Sequence, residues 1–331
     1  MDIVQIVGVS LLSTRAKEIV KALNIKITRI FMTFFDAYIR VSILYSDDFS
    51  QWTWNFYPDQ YDHEADDDEN VTQVDETVAS FMPGKVEACI DFTDRAEKFV
   101  AFRNPGLSIR LWLTHFHYIF SYPTVEDLFF VGARRTYDTK AIKETVEGFN
   151  LKNLVFRNDC SVGAAELAIR NIPFTASVFL GSSQFNDVSK FRNVFMQNLD
   201  VLVVGCDGSP LKVRLDDLLL MNSKEIDIES PIITDKVINR FLKFWIRGSN
   251  PRMKHVKFTF REGRVFDAEV ILSGLNYQEI PFDHVRYFKV STIEGGECDL
   301  ELNAGCDIRR KDGTNSISGS LAKARLVYWV I

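Results

Sequence analysis

Residues 215–260 read LDDLLLMNSKEIDIESPIITDKVINRFLKFWIRGSNPRMKHVKFTF, and the order of elements in this stretch decides the fold. Val237, Ile238, Phe241, Leu242 and Trp245 recur at helical spacing and form one apolar stripe. Thr234 stands where an N-cap is needed, and Asp235 in the first turn meets the positive end of the helix dipole. Lys243 and Arg247 fall in the last turn, Gly248 sits where the chain must turn left-handed, and Pro251 stops further helix. Beyond the turn, Val256, Phe258 and Phe260 alternate with His255, Lys257 and Thr259, the period of a strand. The unit is a helix that lays down a strand.

Working outward, the unit recurs. Six apolar-x-apolar pairs align as strands: Leu128/Phe130, Leu154/Phe156, Val178/Leu180, Leu202/Val204, Ile226/Ile228 and Val256/Phe258. Their first members are 26, 24, 24, 24 and 30 residues apart, and each pair follows a helical pattern: 111–120, 139–149, 163–170, 188–198, 215–221 and 234–247. That period predicts an α/β chain built as a degenerate leucine-rich-repeat-like β/α solenoid. An ordinary layered βαβ domain competes with it, and the even spacing favours the array.

The flanks differ. From 27 to 110 the period is two, with β-type runs over 27–34, 38–44, 52–56, 85–92 and 98–102, which predicts an antiparallel region. It is interrupted at 59–76 by DQYDHEADDDENVTQVDE, which reads as a solvated acidic loop. Asp66, Asp67 and Asp68 lack the spacing and central glycine of a calcium loop. Residues 2–23 give two short amphipathic helices, the second capped by Ser13. The tail, 263–331, reads as an antiparallel cap with strands at 268–273, 284–291, 298–302, 307–310 and 324–330 and a hairpin turn at 311–314. The resulting segments are 1–26, 27–110, 111–262 and 263–331.

Composition narrows the function classes. A 46% hydrophobic content over 331 residues gives ample core, and 27 phenylalanines point to aromatic packing. A net charge of −6 argues against a surface built for nucleic-acid phosphates. No apolar run is long enough to span a bilayer, so no membrane partner is expected. Five scattered cysteines without a CxxC fit a reducing compartment, cytoplasmic and/or nuclear. No catalytic or phosphate-binding motif is found, and His115 and His117 are too close in sequence to share a helix face. Arg309-Arg310-Lys311 reads as a solvated basic turn, and Gly181 and Gly205 as strand-end loop residues. No enzyme, cofactor or metal is expected.

Five segments resemble the nematode F-box B family, in the family's order: SLLSTRAKEIVKALNIK (10–26), LDDLLLMNSKEIDIES (215–230), DKVINRFLKFWIRGSNPRMKHV (235–256), VRYFKVS (285–291) and DIRRKDGT (307–314). The resemblance implies an F-box followed by a type 2 F-box-associated domain, with its core at 210–260. It also implies a partner, the Skp-type adaptor of an SCF cullin-RING ubiquitin ligase, and a protein target recruited by the C-terminal domain. The family's F-box opens with a further Leu-Pro-bearing helix, so residues 1–26 match only its second half and read as a truncated, helical F-box remnant.

Two candidate surfaces follow. Ile3, Ile6, Val9 and Leu12 are the remaining adaptor-facing residues, covering a few hundred Å² where a stable interface buries on the order of 1,200 Å². Adaptor binding is therefore either kept or lost, the second case leaving a stand-alone protein-binding module. Phe129, Val155, Phe179, Val203, Asp227 and Lys257 are the outward positions of the repeat strands. They are the target-binding row if the sheet is concave and exposed, and since four of the six are apolar the alternative is that the N-terminal sheet or loops cover them.

Overall fold

The computed structural model of the protein describes residues 3–45, 50–58, 82–91, 98–103, 106–132, 138–158, 160–185, 187–206, 209–259, 266–291, 297–311, 316–320 and 326–330. The expected acidic loop at 59–76 and Asp312–Thr314 of the hairpin turn lie outside them. The chain divides into two compact units: residues 1–155 with 159–175, and residues 156–158 with 176–331.

The first unit begins with α1 (Ile3–Ser10) and α2 (Thr14–Ala22). The Ser13 hydroxyl accepts the Ala16 N–H at 3.1 Å, the expected cap. Five strands follow, β1 (Arg29–Phe34), β2 (Ile39–Tyr45), β3 (Ser50–Tyr57), β4 (Lys85–Asp91) and β5 (Lys98–Arg103), each antiparallel to the next. Cross-strand register aligns Met32, Val41, Trp54 and Ala88, all fully buried. Helix α3 (Ile109–Phe120) covers this row, with Phe116 4.8 Å from Trp54 and Trp112 5.7 Å from Phe56 between ring centroids.

The period then changes. Strand β6 (Asp127–Val131) pairs parallel with β1, setting Phe130 against Phe34 at 5.2 Å. Helices α4 (Thr139–Val146) and α5 (Val162–Asn171) carry side-chain caps from Asp138 and Ser161. Asn171 Nδ2 donates to Thr139 Oγ1 at 2.7 Å and ties the start of α4 to the end of α5. Strand β7 (Asn153–Asn158) carries the division between the units.

In the second unit β8 (Ser177–Ser182), β9 (Val201–Val204), β10 (Glu225–Glu229) and β11 (His255–Thr259) run parallel. Val178, Leu202, Ile226 and Val256 share one row, and Leu180, Val204, Ile228 and Phe258 the next. All eight are at most 1% exposed, as the apolar-x-apolar pattern requires. A backbone bond recurs at each strand entrance: Asp200 N–H to Ala176 O, Glu225 N–H to Asp200 O, His255 N–H to Lys224 O. Between the strands lie α6 (Arg192–Phe195), α7 (Leu215–Leu220) and α8 (Asp235–Ile246). The helix expected over 188–198 is a 3-10 turn, Val188–Phe191, followed by the single turn of α6.

The tail is antiparallel, in the order β11–β15–β14–β13–β12, formed by β12 (Tyr277–Ser291), β13 (Glu297–Arg309), β14 (Ser316–Ser320) and β15 (Leu326–Val330). Two expectations are corrected. Residues 268–273 form a helix, α9 (Ala268–Leu272), because the Asp267 carboxylate caps the Val270 N–H while Ile271 and Leu272 turn inward. The two strands expected at 298–302 and 307–310 are one, since the register shift falls in β12 around Pro281. No helix among the described residues is long and apolar enough to cross a membrane.

Candidate partner-binding surfaces

The N-terminal helical pair exposes a different face from the one expected. Ile3 is 4% exposed and Val7 is fully buried, so the inner side of α1 belongs to the body of the first unit. Ile6 and Val9 are half-buried, and of the four expected adaptor residues only Leu12 stands out, at 78% exposed. Two further apolar side chains on α2 and its C-cap join it in being exposed: Ile19 at 58% and Leu23 at 53%. Their partner on the stripe, Val20, is buried. The pair is fixed to α3 by Ser10, whose hydroxyl donates to Val7 O at 2.6 Å and lies 2.6 Å from His115 Nε2. The hydroxyl's single proton is spent on Val7, so the ring nitrogen is the donor to Ser10. Lys17 and Lys21 lie over the Tyr118 ring on the same side of the pair.

The expected target-binding row is corrected in part. Val155, Phe179 and Val203 are 2–3% exposed and offer no contact area. The reason is legible in the runs Val178-Phe179-Leu180 and Leu202-Val203-Val204, since parallel strands with three apolar residues in succession are covered on both faces, and Leu154-Val155-Phe156 repeats the pattern in β7. Phe129 is half-buried, its ring edge against Phe31 at 5.4 Å. Asp227 and Lys257 are also half-buried and paired with each other, Nζ to Oδ2 at 2.6 Å. Burial raises the Asp227 pKa, and Lys257 opposes it.

A third feature comes from the two motifs that set this sequence apart. At the end of α8, Gly248 takes φ +107°, its N–H bonds Trp245 O, and Ser249 N–H bonds Phe244 O, which closes the helix with a Schellman turn. Asn250 continues left-handed at φ +49° and donates from Nδ2 to Leu218 O and Met221 O, satisfying the last carbonyls of α7. DIRRKDGT then meets WIRGSNPR. The Arg310 guanidinium lies 4.7 Å from the centroid of the Trp245 ring, and its Nη2 donates to Ser249 O at 3.0 Å and Asn250 O at 3.2 Å. Lys311 N–H reaches Ile246 O at 3.3 Å. Arg310 is only 8% exposed, so the solvated turn expected here is corrected for its central residue; Arg309 and Lys311 are exposed. The joint opens onto a cleft of about 720 Å³ lined by Lys243, Arg247, Arg309, Arg310, Lys311 and Tyr277 among others. The signal for it was present in the sequence as two specific motifs without an evident reason to be specific.

The groups with altered acidity read as structural. His115 is driven down to about 4, first by burial and then by Lys17, and His255 likewise by burial and Lys257. His117, two residues from His115, instead bonds Tyr122 O through Nδ1 at 2.8 Å. Burial pushes the thiols of Cys160 and Cys306 up to about 12, so neither is a nucleophile at neutral pH. Asp127 accepts from Arg29 Nη2 at 2.5 Å and from Asn153 Nδ2 at 2.6 Å, with Glu126 3.5 Å from Arg29 Nε. Among the described residues no three His, Cys, Asp or Glu side chains are grouped to hold a metal ion. Gly205, expected as a strand-end residue, has φ +77°, and a Cβ there would fall 2.3 Å from Glu229 O.

Residues 190–258 match the family model described as F-box associated, a span from the 3-10 turn before α6 to Phe258 of β11. The chain is similar to the F-box associated domain-containing protein sdz-33 of Caenorhabditis elegans, 22% identical over 225 residues. The alignment covers 63% of this chain and 65% of that relative, just under two thirds of its length. No solved structure matches.

Proposed function

We propose that this chain, which belongs with the nematode proteins carrying an F-box-associated domain, recruits a protein target to an SCF-type ubiquitin ligase. In this reading the helical pair α1 and α2 is the F-box-like element that meets a Skp-type adaptor. The β/α repeats, read as a leucine-rich-repeat-like array, and the antiparallel tail present the target. The chain supplies no catalytic chemistry and acts in the cytoplasm or nucleus.

The observation that carries the adaptor half is the exposure of Leu12, Ile19 and Leu23 on a helical pair whose opposite side is fixed by Val7, Val20 and the Ser10–His115 contact. Large aliphatic side chains kept in water on an anchored element are what a docking face looks like before its partner arrives. A second reading has its own support. Ile3, Val4 and Val7 are spent on the first unit, which fits α1 as a packing element of a stand-alone binding module.

Pull-down of the full chain with a Skp-type adaptor at near-physiological salt separates them. The wild type is expected to retain the adaptor, and Leu12→Asp with Ile19→Asp to lose it by roughly tenfold or more with unchanged circular dichroism. A wild-type chain that retains no adaptor leaves the stand-alone module.

A further inference from the structure

We propose that the cleft where α8 and β13 end is a binding site for an acidic polypeptide segment, whose carboxylates or phosphates are met by Lys243, Arg247, Arg309 and Lys311. The argument starts from charge. The chain as a whole carries −6, yet among the described residues this cleft of about 720 Å³ is lined by five cationic side chains and one carboxylate, Asp307. That carboxylate is already engaged, accepting from Arg286 Nη1 at 2.7 Å.

Several other cations of the second unit have acidic partners, Lys224 with Asp200, Lys257 with Asp227, Lys289 with Asp299 and Arg192 with Asp217. Some exposed ones, Lys236 and Arg240 among them, have none among the described residues; what sets the cleft apart is that its unpaired cations converge on one concavity. None of Lys243, Arg247, Arg309 and Lys311 is paired with a carboxylate among the described residues. Behind them Arg310 adds a charge that carbonyl oxygens and an indole face solvate but do not cancel, and its buried Nε has no hydrogen-bond partner among the described residues. A fixed positive charge in a low-dielectric wall strengthens the field in the cleft, where it attracts anions.

The rest of the lining favours a polypeptide. Tyr277 is 39% exposed, and Asn276 and Gln278 beside it are exposed, giving an aromatic face and amides for a peptide backbone. The volume suits a few side chains, within the range of roughly 300–1,000 Å³ seen for ligand sites. Outside the cleft α8 continues the same character, with Lys236 and Arg240 exposed, as is Phe244. A single base-stacking ring and a short run of cations do not make the long phosphate track of a nucleic-acid site. That the segment belongs to a ligase target rests on the function proposed above; that the cleft binds it does not.

Fluorescence anisotropy on the full chain tests the site without adaptor or ligase. The probes are a short labelled peptide with adjacent phosphoserines, its glutamate counterpart and its serine counterpart, with a labelled single-stranded oligonucleotide and anionic lipid vesicles as competitors. Both charged peptides are expected to bind and the serine peptide not to. Arg309→Glu with Lys311→Glu should weaken binding roughly tenfold or more and flatten its salt dependence, while Arg309→Lys with Lys311→Arg retains it. Arg310 is left intact, and an unchanged thermal midpoint shows that the variants fold. Equal binding of the serine peptide, undiminished binding by the charge-reversed variant, or displacement of the peptide by the oligonucleotide or vesicles at lower concentration each overturns the proposal. Loss of adaptor binding in the pull-down has no bearing on these readings, so the two proposals fail separately.

Discussion

Among the described residues two arginines are buried, Arg29 in the first unit and Arg310 in the second, and their charges are handled in opposite ways. Arg29 meets carboxylates: Asp127 Oδ2 at 2.5 Å from Nη2 and Glu126 at 3.5 Å from Nε, with Asn153 completing the shell of Asp127. Burial raises the Asp127 pKa while Arg29 and Asn153 lower it, so the buried carboxylate and guanidinium hold each other's charge. Arg310 meets Ser249 O, Asn250 O and the Trp245 ring. Those groups solvate the guanidinium without neutralising it. The first arrangement balances its cation with carboxylates, Glu126 accepting from Lys152 and Tyr122 as well; the second leaves a positive field at the mouth of a cleft. Of the two buried arginines, only the one without a counter-ion has a reason to face a partner.

The comparison breaks most readily at Asp127. Asp127→Ala strands Arg29 and leaves Asn153 Nδ2 without its acceptor, for an expected loss of about 3–5 kcal/mol in urea denaturation. Arg29→Met with Asp127→Leu should recover most of that loss, since a buried pair replaced whole by apolar residues is often neutral. If the double change costs as much as the single one, the two groups do not hold each other's charge. Arg310→Ala removes two charge-assisted bonds and the contact with the Trp245 ring, for about 2–4 kcal/mol. Here no second substitution is expected to compensate, because no carboxylate is left behind. Its loss should also release the joint between the end of α8 and the end of β13, which hydrogen exchange at Lys311 N–H would report.

How far the sequence foretold these features follows the range of the interactions. Thr234, Gly248 and the alternation of Val256 and Phe258 act within a few residues of themselves, and α8 and β11 stand where their pattern put them. The six inward pairs are equally local, and all are buried. At 268–273 two local signals competed: Val270-Ile271-Leu272 reads as a strand, and the Asp267 cap decides for a helix. Burial of the outward row depended on what covers Val155, Phe179 and Val203, which periodicity does not encode, although three apolar residues in a row hinted at it. Arg310 was the hardest, because its partners Ser249 and Asn250 are 61 and 60 residues away and nothing in a basic turn announces an indole 65 positions upstream. For Leu12, Ile19 and Leu23 the helix phase was legible, but which side faces the body was set by His115, 105 residues from Ser10.

Histidine supplies the smallest and sharpest test, because unlike arginine it can give up its proton instead of finding a partner. His115 in the first unit and His255 in the second are both lowered from near 6.5 to about 4, with burial the first cause in each and a lysine the second. The sign follows from which state takes the proton first. As pH falls, the unfolded chain protonates near 6.5 while the folded chain resists until about 4, so each ring's contribution is intact above 6.5 and lost progressively down to about 4. At about pH 5.5 the expected loss is roughly 1.4 kcal/mol per histidine. Denaturation of wild type, His115→Gln and His255→Gln at neutral pH and at about pH 5.5 measures it, each variant being expected to lose one ring's share of the acid sensitivity. Should His255→Gln leave that sensitivity unchanged while His115→Gln reduces it, the second unit would tolerate a buried imidazolium as it tolerates the Arg310 guanidinium, and charge without a counter-ion would be a general property of that unit instead of a feature of the cleft.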